Sequence, residues 1–355
     1  MSASHVISET ACRLNPLVTG WDDGWGPTRL ELADGTVLSG DPASVRSAAA
    51  ALDPERGEAA AAALEAFARR EFRLPSPAGE LACGGRTLVM GAINTTPDSF
   101  SDGGRWLDKD RAVEHGLRLA AEGADILDVG GESTRPGAAP VAAAEERRRT
   151  QPVVAELVKR SGVPVSIDTM KADVAAAALD AGAALVNDVS ALRDPRMPSV
   201  VAGSGAVLVL MHMRGEPRTM QKAPRYGNVL AEVAHYLRQA MVRAVEAGVS
   251  LDRMIVDPGI GFGKTLAHNT ELIRRLPVLA SLGRPVLVGC SRKSLIRHAL
   301  GLPVERRLHA TLALNTLSIG GRASIIRVHD VEAAAEAAAM ADVTLGGPPR
   351  TFGDQ

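Results

Sequence analysis

The chain has 355 residues, enough for two domains or for one large barrel with an extension. A formal net charge of −1 argues against a nucleic-acid or acidic-membrane partner, and 46% hydrophobic content with only 3% aromatic residues points to a large core of Ala, Val, Leu and Ile. Cys12, Cys83 and Cys290 have neither disulfide nor metal-ligand spacing, no secretory leader profile opens the chain, and no apolar run approaches a membrane span, so a cytoplasmic setting is expected.

Residues 1–80 follow a pattern of their own. Leu30 to Leu38 carries Asp34-Gly35, a favoured two-residue hairpin turn. Val45 to Phe72 is rich in Ala, Glu and Arg and reads as one or two helices, with Pro54 starting the second. Pro75, Ser76 and Pro77 read as a linker. The expectation is a small α+β extension over residues 1–80, followed by a second domain over residues 81–355.

From Leu81 the chain becomes regular. Ala82 to Leu88, with Gly84-Gly85 at its turn, reads as a hairpin closing the bottom of the second domain. Eight apolar runs then each end in a polar residue of catalytic type. Thr87 to Ile93 runs into Asn94, Ile126-Leu127 into Asp128, Pro164 to Ile167 into Asp168, and Ala183 to Val186 into Asn187-Asp188. Ala206 to Met211 runs into His212, Met254 to Val256 into Asp257, Pro285 to Gly289 into Ser291-Arg292-Lys293, and Ala323 to Ile326 into Arg327-Val328-His329. Helical stretches alternate with them: 108–122, 142–160, 172–181, a short one near 198–203, 229–247, 269–280, 304–319 and 331–341. This is the pattern of a (β/α)8 TIM barrel, an α/β fold whose active site forms at the C-terminal ends of the strands. The long loops 95–106, 132–141 and 214–228 would all hang over that face.

The loops carry distinct chemistries. Asn94 opens a loop of hydroxyls, carboxylates and glycines and offers a neutral oxygen suited to Mg²⁺ held mainly by a substrate phosphate; the alternative is a turn capping the next helix. Asp128 precedes Gly130-Gly131-Glu132-Ser133-Thr134-Arg135, where Glu132 reads as a solvated loop charge. Asp168, Asn187 and Asp257 would meet in the mouth, where buried carboxylates need hydrogen-bond donors such as the amine and ring N–H of an aminopyrimidinone. Helix capping by Asp168 and Asp257 stays open as the second reading. Asp257 to Thr265 misses a P-loop by one residue, Pro258 standing in the place of the first glycine, so its glycines are read as letting backbone approach a flat ligand with Phe262 as a wall. Of the scarce lysines, Lys293 reads as functional and Lys264 as undecided. Arg327 and His329 share one side of the last strand and, with the next helix N-terminus, form an anion cradle.

These motifs together resemble the dihydropteroate synthase family of pterin-binding TIM barrels, which sulfonamides inhibit. The matching stretches are MGAINTTPDSFSDGG, DVGGESTRPGA, SIDTMK, NDVSAL, LMHMRG, DPGIGFGK, SRKS and RVHD, in order from Met90 to Asp330. The resemblance implies condensation of 6-hydroxymethyl-7,8-dihydropterin diphosphate with p-aminobenzoate, releasing diphosphate, by a homodimer. It implies Asn94 as the Mg²⁺ ligand, and Asp168, Asn187, Asp257 and Lys293 as pterin contacts, with Met211 on the pocket wall. Arg327, Val328 and His329, with Asn94 and Thr134, would face the diphosphate, and Phe100, Asp102, Arg135, Pro136, Phe262 and Ser294 the p-aminobenzoate. Asp102, Asp128 and Lys293 are the residues expected to act on the reacting centre, the carboxylates by stabilising a pterin-methyl cation. Two rivals remain: a pterin-dependent methyltransferase barrel, which would bind no diphosphate, and a catalytically silent pterin-binding paralogue. The resemblance is silent on residues 1–80.

Overall fold

The structure, a computed structural model, describes residues 17–20, 28–32, 36–95, 105–134 and 137–352. Strands β1 (Leu17–Gly20), β2 (Thr28–Glu31) and β3 (Val37–Gly40) form a small antiparallel sheet. Leu30 pairs with Leu38, as expected of a hairpin, while the Asp34-Gly35 turn lies outside the described residues. Two helices follow, Pro42–Ala50 and Pro54–Ala68, each begun by an Asp-Pro pair. Asp41 accepts from the amides of Ala43 and Ser44, and Asp53 from that of Arg56, while proline at the first turn has no amide to leave unpaired. Val45, Ala49, Ala60, Leu64 and Phe67 bury themselves with Val18 and Leu30, and this small core reaches Ala280 of the barrel. The Val18 amide also donates to Ser281 Oγ at 2.9 Å.

The expected linker is not a linker. Pro75 and Ser76 belong to β4 (Phe72–Ser76), which pairs antiparallel with β5 (Gly79–Cys83), Pro75 facing Glu80. Proline is tolerated there because a two-stranded ribbon has open edges. The bottom-closing hairpin therefore exists, but it spans Phe72–Cys83 rather than 82–88. Gly84 follows it with φ +101°, and a Cβ there would stand 1.8 Å from the Arg70 carbonyl oxygen, so it marks a close chain crossing instead of a turn tip. A domain boundary between residues 80 and 81 cuts through β5.

The eight apolar runs form eight parallel strands. These are β6 (Leu88–Asn94), β7 (Ile126–Gly130), β8 (Val165–Asp168), β9 (Leu185–Asp188), β10 (Val207–Met211), β11 (Met254–Asp257), β12 (Leu287–Val288) and β13 (Ile325–Val328). Their order in the sheet, β11-β10-β9-β8-β7-β6-β13-β12, closes into a ring through a parallel bridge between Val256 and Val286. Strand alternation then sorts every side chain. Inward positions near the strand beginnings, among them Met90, Ile126, Leu185, Val209, Ile255 and Ile325, pack on Phe72, Leu74, Leu81 and Cys83 of the hairpin, which plugs the bottom. Outward positions such as Val89, Leu127, Ile167 and Val256 join the core under the helices.

The helices between strands match the expected periodicity, with three differences. The stretch 269–280 is a helix over Leu266–Arg274, then a separate 3-10 segment, Leu276–Leu282, entered through Pro277. The helix expected from Val304 starts at Leu308, after a 3-10 turn over Val304–Arg306. A helix over Ser294–Leu300 was not expected, being too short to show a period.

Candidate active site

At the C-terminal ends the inward positions change character. Asp128, Asp168, Asn187, Met211, Asp257 and Arg327 each occupy the inward place one or two steps beyond the apolar layer, because two-residue periodicity carries each strand's inner face upward. Arg327 ties the group together. Its Nε donates to Asp128 at 2.6 Å and its Nη2 to Asp168 at 2.9 Å, while Asn187 Nδ2 donates to the same Asp128 oxygen at 3.0 Å. Asp128 is fully buried, and its Oδ1, like Oδ1 of Asn187, has no hydrogen-bond partner among the described residues. Burial pushes Asp168 up to about 7 against the pull of Arg327, with Asp128, Glu146 and Asp188 adding to the rise. Helix capping by Asp168 is overturned: its carboxylate faces Arg327, and the following helix starts behind Lys171 without a side-chain cap.

Asp257 and Lys293 form the opposite side. Burial raises the Asp257 carboxyl, and the Lys293 cation is the leading opposing influence. Burial lowers Lys293 to about 8, with Asp257 holding it from falling further. Lys293 Nζ donates to the Ile260 carbonyl and lies 4.5 Å from the centre of the Phe262 ring. Met211 joins Val189, Met213 and Met220 in an apolar cluster against which Phe262 and Met170 pack, giving the mouth one soft flat wall. Asp257 Oδ1 accepts from the Gly259 amide at 2.6 Å, while the next helix is capped by Thr265, so Asp257 shapes its own loop and caps nothing.

The glycines of that loop serve a different neighbour from the one expected. A Cβ on Gly259 would stand 1.9 Å from the His212 carbonyl oxygen, and one on Gly263 2.3 Å from that of Arg214. At these two glycines the close approach is to the adjacent strand-end backbone, while a Cβ on Gly261 would stand 3.1 Å from the Lys293 side chain. Lys264 locks this arrangement: its buried Nζ reaches the carbonyls of Gly259 at 2.9 Å and Phe262 at 3.0 Å, and His212 Nδ1 at 2.9 Å. Burial and Lys264 lower His212 to about 2, leaving a neutral ring, and burial likewise lowers Lys264 well below its ordinary value, with Asp257 opposing. Lys264 is thus a loop-holding residue.

A second compartment of about 730 Å³ lies beside the mouth, with Asn94, Arg111, His115, Arg292 and His329 on its wall. Arg327 and His329 share a strand face but divide: Arg327 turns to the aspartates, whereas His329 Nδ1 meets Ser291 Oγ at 2.9 Å. Val328, between them, faces outward into the core with 1% of its surface exposed, so its side chain is no part of the site. Arg292 holds a left-handed backbone, φ +56°, and forks onto Asp330. Ser291 and Arg292 stand out in the sequence only as strand-end polar residues beside Lys293; their pairing with His329 and Asp330 was not legible there.

The remaining expectations divide. Thr134 is half-buried on the loop after β7, and Ser294 opens the helix behind Lys293. Phe100, Asp102, Arg135 and Pro136 lie outside the described residues. Glu132 is not a solvated charge: Lys171 bridges it to buried Glu146, which also accepts from Thr169 Oγ1 at 2.6 Å. Among the described residues no group of three His, Cys, Asp or Glu side chains is placed to hold a metal ion.

A closed parallel barrel with this mouth defines a class. It is a TIM-barrel enzyme whose mouth gathers carboxylates, an amide and a lysine, beside a compartment lined by both cationic and acidic side chains. Comparison with known proteins narrows the class. Residues 90–329 match the family profile described as pterin binding enzyme. A dihydropteroate synthase of Synechocystis is 45% identical over 275 residues, covering 76% of this chain and 95% of its own. Two crystal structures of the Xanthomonas albilineans dihydropteroate synthase align over 78% of this chain and the whole of theirs. The one with 4-aminobenzoic acid has 44% identity and a TM-score of 0.74, and the one with 7,8-dihydropteroate 42% and 0.71. The chain belongs to the pterin-binding enzyme family, within its dihydropteroate synthase branch.

Proposed function

We infer that this chain is a transferase of folate biosynthesis that joins 6-hydroxymethyl-7,8-dihydropterin diphosphate to p-aminobenzoate, giving 7,8-dihydropteroate and diphosphate. The observation that carries the reading is the mouth itself. Two buried acceptor oxygens, Asp128 Oδ1 and Asn187 Oδ1, have no partner among the described residues, and they share the strand-end mouth with Asp257 at the end of β11 and Lys293 after β12. Buried acceptors of this kind call for a ligand with several in-plane N–H donors.

Asp168, Asn187 and Asp257 bind the pterin ring, Lys293 meets its carbonyl side, and Met211 and Phe262 cover its face. Arg327, its Nε and Nη2 donating to Asp128 and Asp168, meets the diphosphate from the mouth, with His329 and Asn94 on the wall of the neighbouring compartment and Thr134 on the loop after β7. The bond from the pterin methylene to the diphosphate oxygen breaks, and the electron pair leaves with diphosphate. Asp128, with Asp102, stabilises the cationic methylene by charge, and the arylamine nitrogen bonds to it and releases a proton. Phe100, Arg135, Pro136, Phe262 and Ser294 form the p-aminobenzoate side. Asn94 offers a neutral oxygen suited to Mg²⁺, and since no metal-holding group of three His, Cys, Asp or Glu side chains occurs among the described residues, this fits an ion carried mainly by substrate oxygens; when bound such an ion would offset the leaving group's negative charge.

The exposed side chains Leu317, Met340 and Val343 on the last two helices, with Leu345 just after the second, support a homodimer through that face. Free, buried Cys83 and Cys290 are in keeping with a cytoplasmic enzyme. No helix among the described residues is long and apolar enough to cross a membrane. The deciding experiment is incubation with the pterin diphosphate and p-aminobenzoate, followed by chromatography for dihydropteroate. Pterin binding without product at saturating substrates overturns the assignment.

A further inference from the structure

A cavity of about 1070 Å³ lies at the other end of the barrel, between the chain leaving the Pro54–Ala68 helix and the beginnings of β6, β12 and β13. Seven arginines line it against two acids, Glu71 and Asp342. Three arginines have carboxylate partners elsewhere: Arg86 forks onto Asp125, and Arg274 and Arg275 share Glu271. Asp342 is committed to Thr87, accepting from its amide at 2.8 Å and its hydroxyl at 2.7 Å. Four cations remain: Arg69 and Arg70 from the appendage side, Arg284 and Arg322 from the barrel.

These four are poorly compensated. Arg284 donates to the carbonyls of Leu251, at 2.6 Å, and Gly283, but its one carboxylate partner among the described residues is Asp252, at 3.4 Å, which is 62% exposed. Arg69 donates to the Glu71 carbonyl and lies over the Phe72 ring at 4.9 Å. Arg322 stacks over Phe67 at 4.5 Å and donates to the Arg69 carbonyl at 2.9 Å, but its Nη1 is buried without a partner among the described residues. Burial and Arg70 together press Arg322 down to about 10, and burial, followed by Arg69, lowers Arg284. In a chain with 41 acidic and 40 basic residues this is local concentration, not basic composition. Leaving a buried guanidinium N–H unpaired is costly, and crowding like charges adds to the cost. An anion with several oxygens on successive centres relieves both, and guanidinium forks match phosphate oxygens in pairs.

We propose that this cleft binds an oligophosphate, free or as the tail of a nucleotide, and so clamps the appendage to the barrel. The test uses the full chain, thermal unfolding and calorimetry, with inorganic triphosphate, ATP and citrate as probes. Triphosphate at one hundred times its Kd is expected to raise Tm by roughly 3 °C or more. Arg70→Glu, which places a carboxylate beside Arg322, is expected to weaken triphosphate at least about tenfold while product formation continues. Arg322→Lys keeps the charge and loses the fork, and should weaken triphosphate similarly. His329→Ala, at the active-site compartment, should leave the response in place. ATP binding more tightly than triphosphate assigns the nucleotide as the source, and equal binding assigns the free anion. Citrate matching triphosphate, or a response that survives both arginine variants and vanishes in His329→Ala, overturns the proposal.

Discussion

The two ends of one barrel use the same strands for opposite purposes. Toward the strand beginnings, inward side chains are Leu, Ile, Val and Met, sealed by Phe72, Leu74, Leu81 and Cys83. Two residues further along, the same inner face carries Asp128, Asp168, Asn187 and Arg327. The lower end releases free energy by excluding water. The upper end spends it, holding carboxylates at altered protonation, as Asp168 at about 7 shows. Stability and chemistry are thus separated along each strand by one step of alternation.

The sharpest test of that separation removes the plug. A chain of residues 81–355 keeps only Leu81–Cys83 of β5 and none of β4 and exposes the lower core, so it should be insoluble or inactive, whereas residues 70–355 keep the whole hairpin and should form product. Expression, melting and the product assay compare them. Active, soluble 81–355 breaks the comparison outright.

Arg327→Ala leaves Asp128 and Asp168 without their shared cation. Since 21% of the Arg327 side chain is exposed, the expected loss is about 3 kcal/mol, the low end for a broken buried pair, together with most activity. Denaturant melts and initial rates measure both. Wild-type stability in this variant would mean the aspartates do not depend on Arg327.

Leu74→Ala, at a position 1% exposed, should cost about 2–5 kcal/mol, yet leave KM for both substrates within error in the folded fraction. A KM change without loss of stability would show that the lower end reaches the site. Asp257→Asn and Lys293→Ala should do the reverse, lowering pterin affinity about tenfold or more for a lost charged hydrogen bond of ~1.5–3 kcal/mol. Calorimetry with a free pterin reads this, and unchanged affinity in a folded variant removes these residues from the pterin site.

The smallest effect is in pH. Lys293 is lowered to about 8 from its ordinary 10.5, so between those values the unfolded chain holds a proton that the folded chain has lost. Folding stability contributed by Lys293 therefore rises with pH through that window, while pterin affinity falls as the ammonium charge is lost above about 8. Lys293→Met should abolish both slopes, and a pterin affinity flat from pH 7 to roughly 10 would count against the ammonium's role.

Much of this architecture was legible in the residues. All eight strands appeared as apolar runs because burial on both faces of a parallel strand forces near-continuous hydrophobicity, and the strand-end polar residues stood out against it. The appendage helices were legible through their Asp-Pro starts. The hairpin is easily misread because Pro75 and Pro77 punctuate a chain locally in the same way at a linker and at a ribbon edge. Glu132 looks like a solvated charge because its partner, Lys171, lies 39 positions away.

What the sequence determined alone is periodic and local: which segments are strands, which face of each is apolar, and which polar groups end them. Only the folded barrel decided partnership. It set Arg327 across Asp128 and Asp168, turned Val328 away from the site, folded Lys264 into a cage of carbonyls, and gathered Arg69, Arg70, Arg284 and Arg322 around one cleft. The reason is physical. Hydrophobic burial repeats at the period of the strand and can be read in a short window, whereas pairing of buried charges depends on distance in space between residues as far as 199 positions apart, as Arg327 and Asp128 are, which closure of the ring fixes.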